Sequence, residues 1–232
     1  MTTTTTPRDV ISEDTQEVVA VKIWELPVRL THWVIFFAVI VLSVTGYYIG
    51  NPYAETGTEP GFLMARMRWA HLLSAWVFIA ALIARLIWSL TGNRHARWDQ
   101  FIPVSKARRK AIPEWLKYYL FARDQAPPVV GHNPLAGVAY TFVYLMFGVQ
   151  ILTGMALHGI HEPGGWIANL TGWTFGIVPI PTARLIHHLI MWMTWGFVVH
   201  HVYSALFIDT EEKSGIVSSI LSGYRRVPRD WL

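Results

Sequence analysis

The stretch HHLIMWMTWGFVVHH, residues 187–201, is apolar except for a pair of histidines at each end. Ionisable groups inside a bilayer are costly and mark functional positions by default. His187 and His201 are 14 residues apart. In an α-helix they fall on one face, displaced by roughly 21 Å along the axis. The three other combinations fall about 120° to 140° apart around the helix. Helical phase therefore selects His187 and His201 as the pair that faces one bundle interior at two depths. It turns His188 and His200 elsewhere.

The rest of the chain has the composition of a membrane protein. Of 232 residues, 53% are hydrophobic and only 15% charged, where a soluble domain carries about a quarter. Four apolar segments reach the roughly 20 residues a spanning helix needs. They cover about 28–49, 69–90, 135–157 and 185–208, with Pro27 suited to a first helical turn. There is no cysteine, which excludes disulfides, thiolate metal sites and a covalently attached haem. The opening residues, MTTTTTPRDVISEDTQE, are polar and lack the basic-then-apolar order of a signal peptide. They read as a disordered tail over 1–20, with the membrane domain covering 21–232. Nothing in the composition suggests a nucleic-acid partner.

Charge placement orients the spans. The connection between spans two and three carries Arg94, Arg97, Lys106, Arg108, Arg109, Lys110, Lys117 and Arg123. The C-terminal tail adds Lys213, Arg225, Arg226 and Arg229, whereas the other two loops hold only Arg66, Arg68 and Arg184. By the positive-inside rule both termini are cytoplasmic and the loops 50–68 and 158–184 lie outside. PEWLKYYLFAR (113–123) and GIVSSILSGYRR (215–226) read as helices lying on the membrane surface.

Depth then pairs the histidines. His71 opens the second span on the outer side, as His187 opens the fourth. His32 and His201 lie towards the cytoplasmic side of the first and fourth. Two imidazoles from two helices in apolar surroundings suit a six-coordinate haem iron, which carries electrons and leaves no position for substrate. Zinc is less favoured, because its sites want more ligands and supporting carboxylates, and the four spans contain no acidic residue. The expected fold is all-α: a four-helix transmembrane bundle with cytoplasmic termini and two haems between the helices. Arg29, Arg68, Arg85 and Arg184 lie near these positions and suit haem propionates, or else snorkel to the interface. An internal echo links LSVTGYYIG (42–50) with ILTGMALHG (151–159). Its glycines, Gly46 and Gly154, permit close helix packing or leave room for a flat cofactor.

Eight motifs occur in order: LPVRLTHW (26–33), VTGYYIG (44–50), MRWAH (67–71), ARLIWSLTGN (84–93), VGHNPLA (130–136), LTGMALHG (152–159), HVY (201–203) and SGYR (222–225). Together they resemble the b-type cytochrome subunit of membrane-bound nickel–iron hydrogenases, over residues 21 to 226. The resemblance implies two non-covalent b haems on His32, His71, His187 and His201. It implies partners in the hydrogenase small (iron–sulfur) and large (nickel–iron) subunits, and quinone as electron acceptor. It also implies a multi-pass protein of a bacterial cytoplasmic membrane, with no hydrogen-activating site of its own. The doubling by His188 and His200 departs from that pattern.

By the same resemblance the quinone site lies near the cytoplasmic haem, where GHNPL (131–135) supplies His132 and Asn133. The alternative is that Asn133 and Pro134 simply cap the third span. Related cytochrome subunits of formate dehydrogenases share the plan and are the nearest alternative. A histidine-based membrane transporter is an alternative of another class, and predicts acidic relay groups that the spans lack. A purely structural anchor does not explain why His187 and His201 share a face.

Overall fold

A computed structural model describes residues 17–52 and 60–231. Its elements run β1 (Val18–Lys22), α1 (Leu26–Gly50), α2 (Pro60–Thr91), α3 (Lys106–Tyr119), α4 (Pro134–Gly159), α5 (Trp166–Thr171), α6 (Ile180–Glu212), α7 (Ile216–Ser222) and β2 (Tyr224–Pro228). The four long helices α1, α2, α4 and α6 are apolar enough to cross a membrane. Only 11% to 22% of their most apolar windows is buried in the chain, so most of their large side chains face outward, as they must towards lipid.

Local sequence sets the helix ends. Pro27 sits in the first turn of α1, where its missing N–H costs nothing. Ser105 caps α3 by accepting from the Arg108 N–H at 3.2 Å, and Asn133 caps α4 by accepting from the Ala136 N–H at 2.7 Å. Helix α6 stops where Lys213 turns left-handed at φ 49°.

An apolar layer joins the four spans at mid-height: Ala38 from α1, Phe78 and Leu82 from α2, Val143, Met146 and Phe147 from α4, and Ile190 from α6. The Trp195 indole donates to Ser43 Oγ at 2.9 Å and ties α6 to α1. Helix α3 buries Trp115 and Tyr118 against Ile208 of α6, and leaves Leu116 exposed, as is Leu120 just past its end.

At one end of the bundle, here the ribbon end, β1 and β2 pair antiparallel, with Ala20 opposite Arg226. Gly223 makes the turn into β2 at φ +89°, and a Cβ there would stand 2.7 Å from the Trp24 carbonyl oxygen, so only glycine fits. The Arg225 guanidinium is 3% exposed. It pairs with Glu212 and donates to Ser214 Oγ at 3.1 Å and to the Val129 and Val130 carbonyls at 3.2 and 3.1 Å.

Three expectations change. The tail boundary expected at residue 20 falls inside β1, because residues 18–20 are held by β2; residues 1–16 lie outside the described residues. Segment 215–226 is α7 running into the strand β2, since Gly223 breaks the helix and Arg225 anchors the strand. The spanning helices overrun their expected bounds, because backbone hydrogen bonding continues through polar interfacial residues that hydropathy does not count. His71 is consequently the twelfth residue of α2 and His187 the eighth of α6, so both lie deeper than a helix opening.

Removing one partner of a buried ion pair strands the other charge, at a cost of about 3–5 kcal/mol. Arg225→Ala is expected to lower the melting temperature of the detergent-solubilised protein and to open the C-terminal strand to limited proteolysis. Arg226→Ala, on the exposed face of β2, should do neither.

Candidate functional site: two histidine pairs

The structure brings together the two pairs that phase and depth select. At the ribbon end the rings of His32 and His201 are 6.3 Å apart, centroid to centroid. Near the opposite, far end those of His71 and His187 are 6.4 Å apart. A ring nitrogen lies about 1.1 Å from its ring centre and binds a metal at about 2.0 Å, so two imidazoles on opposite sides of one metal ion have centres about 6.2 Å apart. Both pairs match that spacing. Among the described residues no group of three or more metal-ligating side chains comes together.

Two threonines fix the far-end rings. Thr45 Oγ1 donates to the Val41 carbonyl at 2.6 Å and lies 2.9 Å from His71 Nδ1. Thr153 Oγ1 donates to the Val149 carbonyl at 2.8 Å and lies 3.0 Å from His187 Nδ1. A hydroxyl has one proton. With it given to the backbone, each threonine accepts from Nδ1–H, which leaves Nε2 with its lone pair. The Gln150 amide nitrogen stands 3.2 Å from His187 Nε2, as expected of an acceptor there. Ligation through that nitrogen requires Gln150 to turn aside.

The glycines next to these threonines make room for the same rings. A Cβ on Gly46 would stand 3.0 Å from His71 Cε1, and one on Gly154 2.9 Å from His187 Cε1. The echo of Thr-Gly between α1 and α4 is therefore one device used twice, each copy receiving a histidine from the next spanning helix. The threonines carry as much of it as the glycines, a part missed when the echo is read for small residues alone.

The ribbon-end pair is held differently. The Tyr140 hydroxyl lies 3.3 Å from His201 Nδ1, and Phe197 stacks on the His201 ring at 5.5 Å. His32 Nδ1 is buried without a hydrogen-bond partner. Tyr140 and Gln150 were missed in the sequence. Their signal was a polar group in an apolar span, which by itself does not reveal its partner.

His188 hydrogen-bonds back to the Arg184 carbonyl at 3.0 Å, its ring tip in the space left by Gly50. His200 is exposed. Arg68 and Arg184 are exposed as well. The Arg29 guanidinium donates to the Leu221 carbonyl, so it serves α7. Arg85 is buried, donating to the Ala96 carbonyl at 3.2 Å while its Nη1 has no partner.

Arg85 belongs to a polar cluster beside the ribbon-end pair. Its guanidinium lies over Phe101, 5.0 Å from the ring centre. His132 packs against Trp24, Phe101 and Tyr140 at 4.7, 5.3 and 5.1 Å, with Nδ1 buried and unpartnered. Burial first, then the Arg85 and Arg108 guanidinium groups, push its pKa down to about 3. His132 is therefore neutral at physiological pH and can offer or accept a hydrogen bond, but holds no extra proton. Asn133 is committed on both sides, its oxygen to the α4 cap and its nitrogen to the Tyr119 hydroxyl at 3.2 Å.

Residues 23–223 match the family described as prokaryotic cytochrome b561. A protein of Cupriavidus necator named a probable Ni/Fe-hydrogenase B-type cytochrome subunit is 37% identical over 218 residues, covering 89% of this chain and 87% of that one. A Rhodobacter capsulatus protein of the same name is 35% identical, covering 96% and 88%. The probable Ni/Fe-hydrogenase 1 B-type cytochrome subunit of Escherichia coli K12 is 32% identical, covering 93% and 94%.

Gly154→Leu is expected to displace His187, and Gly46→Leu to displace His71. Each should lower the b-type absorbance per chain in reduced-minus-oxidised spectra. Gly148→Leu, where a Cβ meets nothing within 4 Å, should leave it unchanged.

Proposed function

This chain belongs to the prokaryotic cytochrome b561 family, and we propose that it is a dihaem b-type cytochrome that anchors a nickel–iron hydrogenase and relays its electrons to membrane quinone. The observation that carries the reading is the matched spacing of the two histidine pairs, 6.3 and 6.4 Å between ring centres. Haem held by these histidines would supply reversible one-electron chemistry there.

The protein's own groups do the rest. His71 and His187 would hold one haem, His32 and His201 the other. Thr45 and Thr153 fix the far-end tautomers, and Gly46 and Gly154 clear the space those rings need. The apolar layer around Phe78 and Phe147 lies between the two sites. Arg85, buried with a free Nη1, suits a propionate, and Arg29, bonded through Nη1 to the Leu221 carbonyl, keeps a buried Nε without a partner; Arg68 and Arg184 are exposed near the far end.

The quinone reading rests on His132 rather than Asn133, since its Nδ1 is buried without a partner one ring away from Tyr140. As a neutral imidazole it hydrogen-bonds a quinone carbonyl, and protons for reduction come from water at the ribbon end. The excess of Lys and Arg at that end supports a cytoplasmic placement for both termini in a bacterial inner membrane. The far end then meets the iron–sulfur small subunit, with the nickel–iron large subunit beyond it. The names carried by the relatives support that partnership. Exposed Trp166 and Trp173 in and just after α5 support an aromatic anchor at the outer interface.

The purified protein should carry about two b haems per chain, and a folded haem-free preparation would sink the reading. His201→Ala should remove one haem and His200→Ala neither. The reverse pattern would overturn the ligand assignment. Co-purification with a hydrogenase, identified by its subunits, tests the partnership separately.

A further inference from the structure

Resting on the dihaem reading, we infer that Thr45 and Thr153 hold the far-end haem at the lower reduction potential, so that electron flow towards the ribbon end is downhill. The observation is an asymmetry in what the four imidazoles do with Nδ1–H. Both far-end rings give it to an alcohol oxygen, at 2.9 and 3.0 Å. Each of those hydroxyls has its proton committed to a carbonyl one turn back, at 2.6 and 2.8 Å, so it acts purely as an acceptor. At the ribbon end His201 meets only the Tyr140 phenol, at a longer 3.3 Å, and His32 Nδ1 has no partner.

Giving up Nδ1–H to an acceptor moves electron density through the ring to Nε2 and makes it a more basic ligand. A more basic ligand favours the oxidised, more positive metal, which lowers the reduction potential. Both ligands of the far-end site carry this effect. A phenol oxygen is a poorer acceptor than an alcohol, because its lone pair is shared with the ring, and an unpartnered Nδ1 supplies nothing. Hydrogen bonds to axial ligands are among the levers that set haem potentials.

In each transfer one electron leaves the far-end site as one arrives at the ribbon-end site. No bond breaks and no proton moves. The hydrogenase supplies that electron and the quinone removes it.

The test is a spectroscopic redox titration of the purified full chain with its haems. Wild type should show two midpoint potentials at two haems per chain. His201→Ala should leave a single haem at the lower of the two; a survivor at the higher value would overturn the inference. Thr45→Val and Thr153→Val should each raise the lower potential alone, by about a tenfold change in the one-electron equilibrium, or 59 mV. Thr45→Ser and Thr153→Ser should keep the wild-type value, and Tyr140→Phe should leave the lower potential where it is. Valine variants that keep both haems at unmoved potentials would overturn the inference and leave the dihaem reading standing. So would loss of the far-end haem in both valine variants with retention in both serine variants, since the hydroxyls would then serve occupancy. Fewer than two haems in wild type would overturn the dihaem reading itself.

Discussion

Helix α6 must present one ring to α2 and another to α1, about 21 Å further along its axis, and the arrangement of the bundle follows from that demand. His187 meets His71 of α2, and His201 meets His32 of α1. Both partner helices must therefore border α6 at different heights. The Trp195–Ser43 hydrogen bond and the mid-height apolar layer fill the interval between the two pairs. Helix α4 completes the set by carrying Thr153 and Gly154 to one α6 histidine and Tyr140 to the other. A helix with ligands at two heights thus needs a neighbour that supports it at both.

Much of this was legible in the sequence for a simple reason. In lipid the backbone must satisfy its own hydrogen bonds, so apolar runs become helices, and helical phase converts a 14-residue spacing into a shared face. The pairs His71–His187 and His32–His201 came from that arithmetic and from the direction of each span. Hydropathy was a poorer guide to helix ends, because α2 and α6 continue past the hydrocarbon edge through residues such as Arg66, Arg68 and Thr210. The β ribbon was not legible. Its strands lie some two hundred residues apart, are five residues each, and depend on a register set by Arg225 reaching Ser214 and the carbonyls of a third segment. No local pattern encodes such a contact.

The site divides along the same line. Which histidines pair depends on phase and depth, both visible in a string of letters. What each ring does with its second nitrogen depends on hydroxyl geometry across helices, which is not. Thr45 and Thr153 were in view as part of an echo, yet their role appears only once Val41 and Val149 are seen to take their protons. The competing uses of Asn133, and the crowding of His132 by two arginines, likewise emerge only when the segments around residues 85, 108 and 132 meet.

The ribbon has a topological consequence. Strands that hydrogen-bond must lie on the same side of a membrane, so residues 18–22 and 224–228 enforce an even number of crossings between them. Arg225 extends the rule, because its bonds to the Val129 and Val130 carbonyls require the crossings to be even in each half of the chain as well. A chain in which one span failed to insert would have its two ends on opposite sides and could not close the ribbon. The clasp thus acts as a parity check on insertion, passed only when both hairpins have crossed and returned.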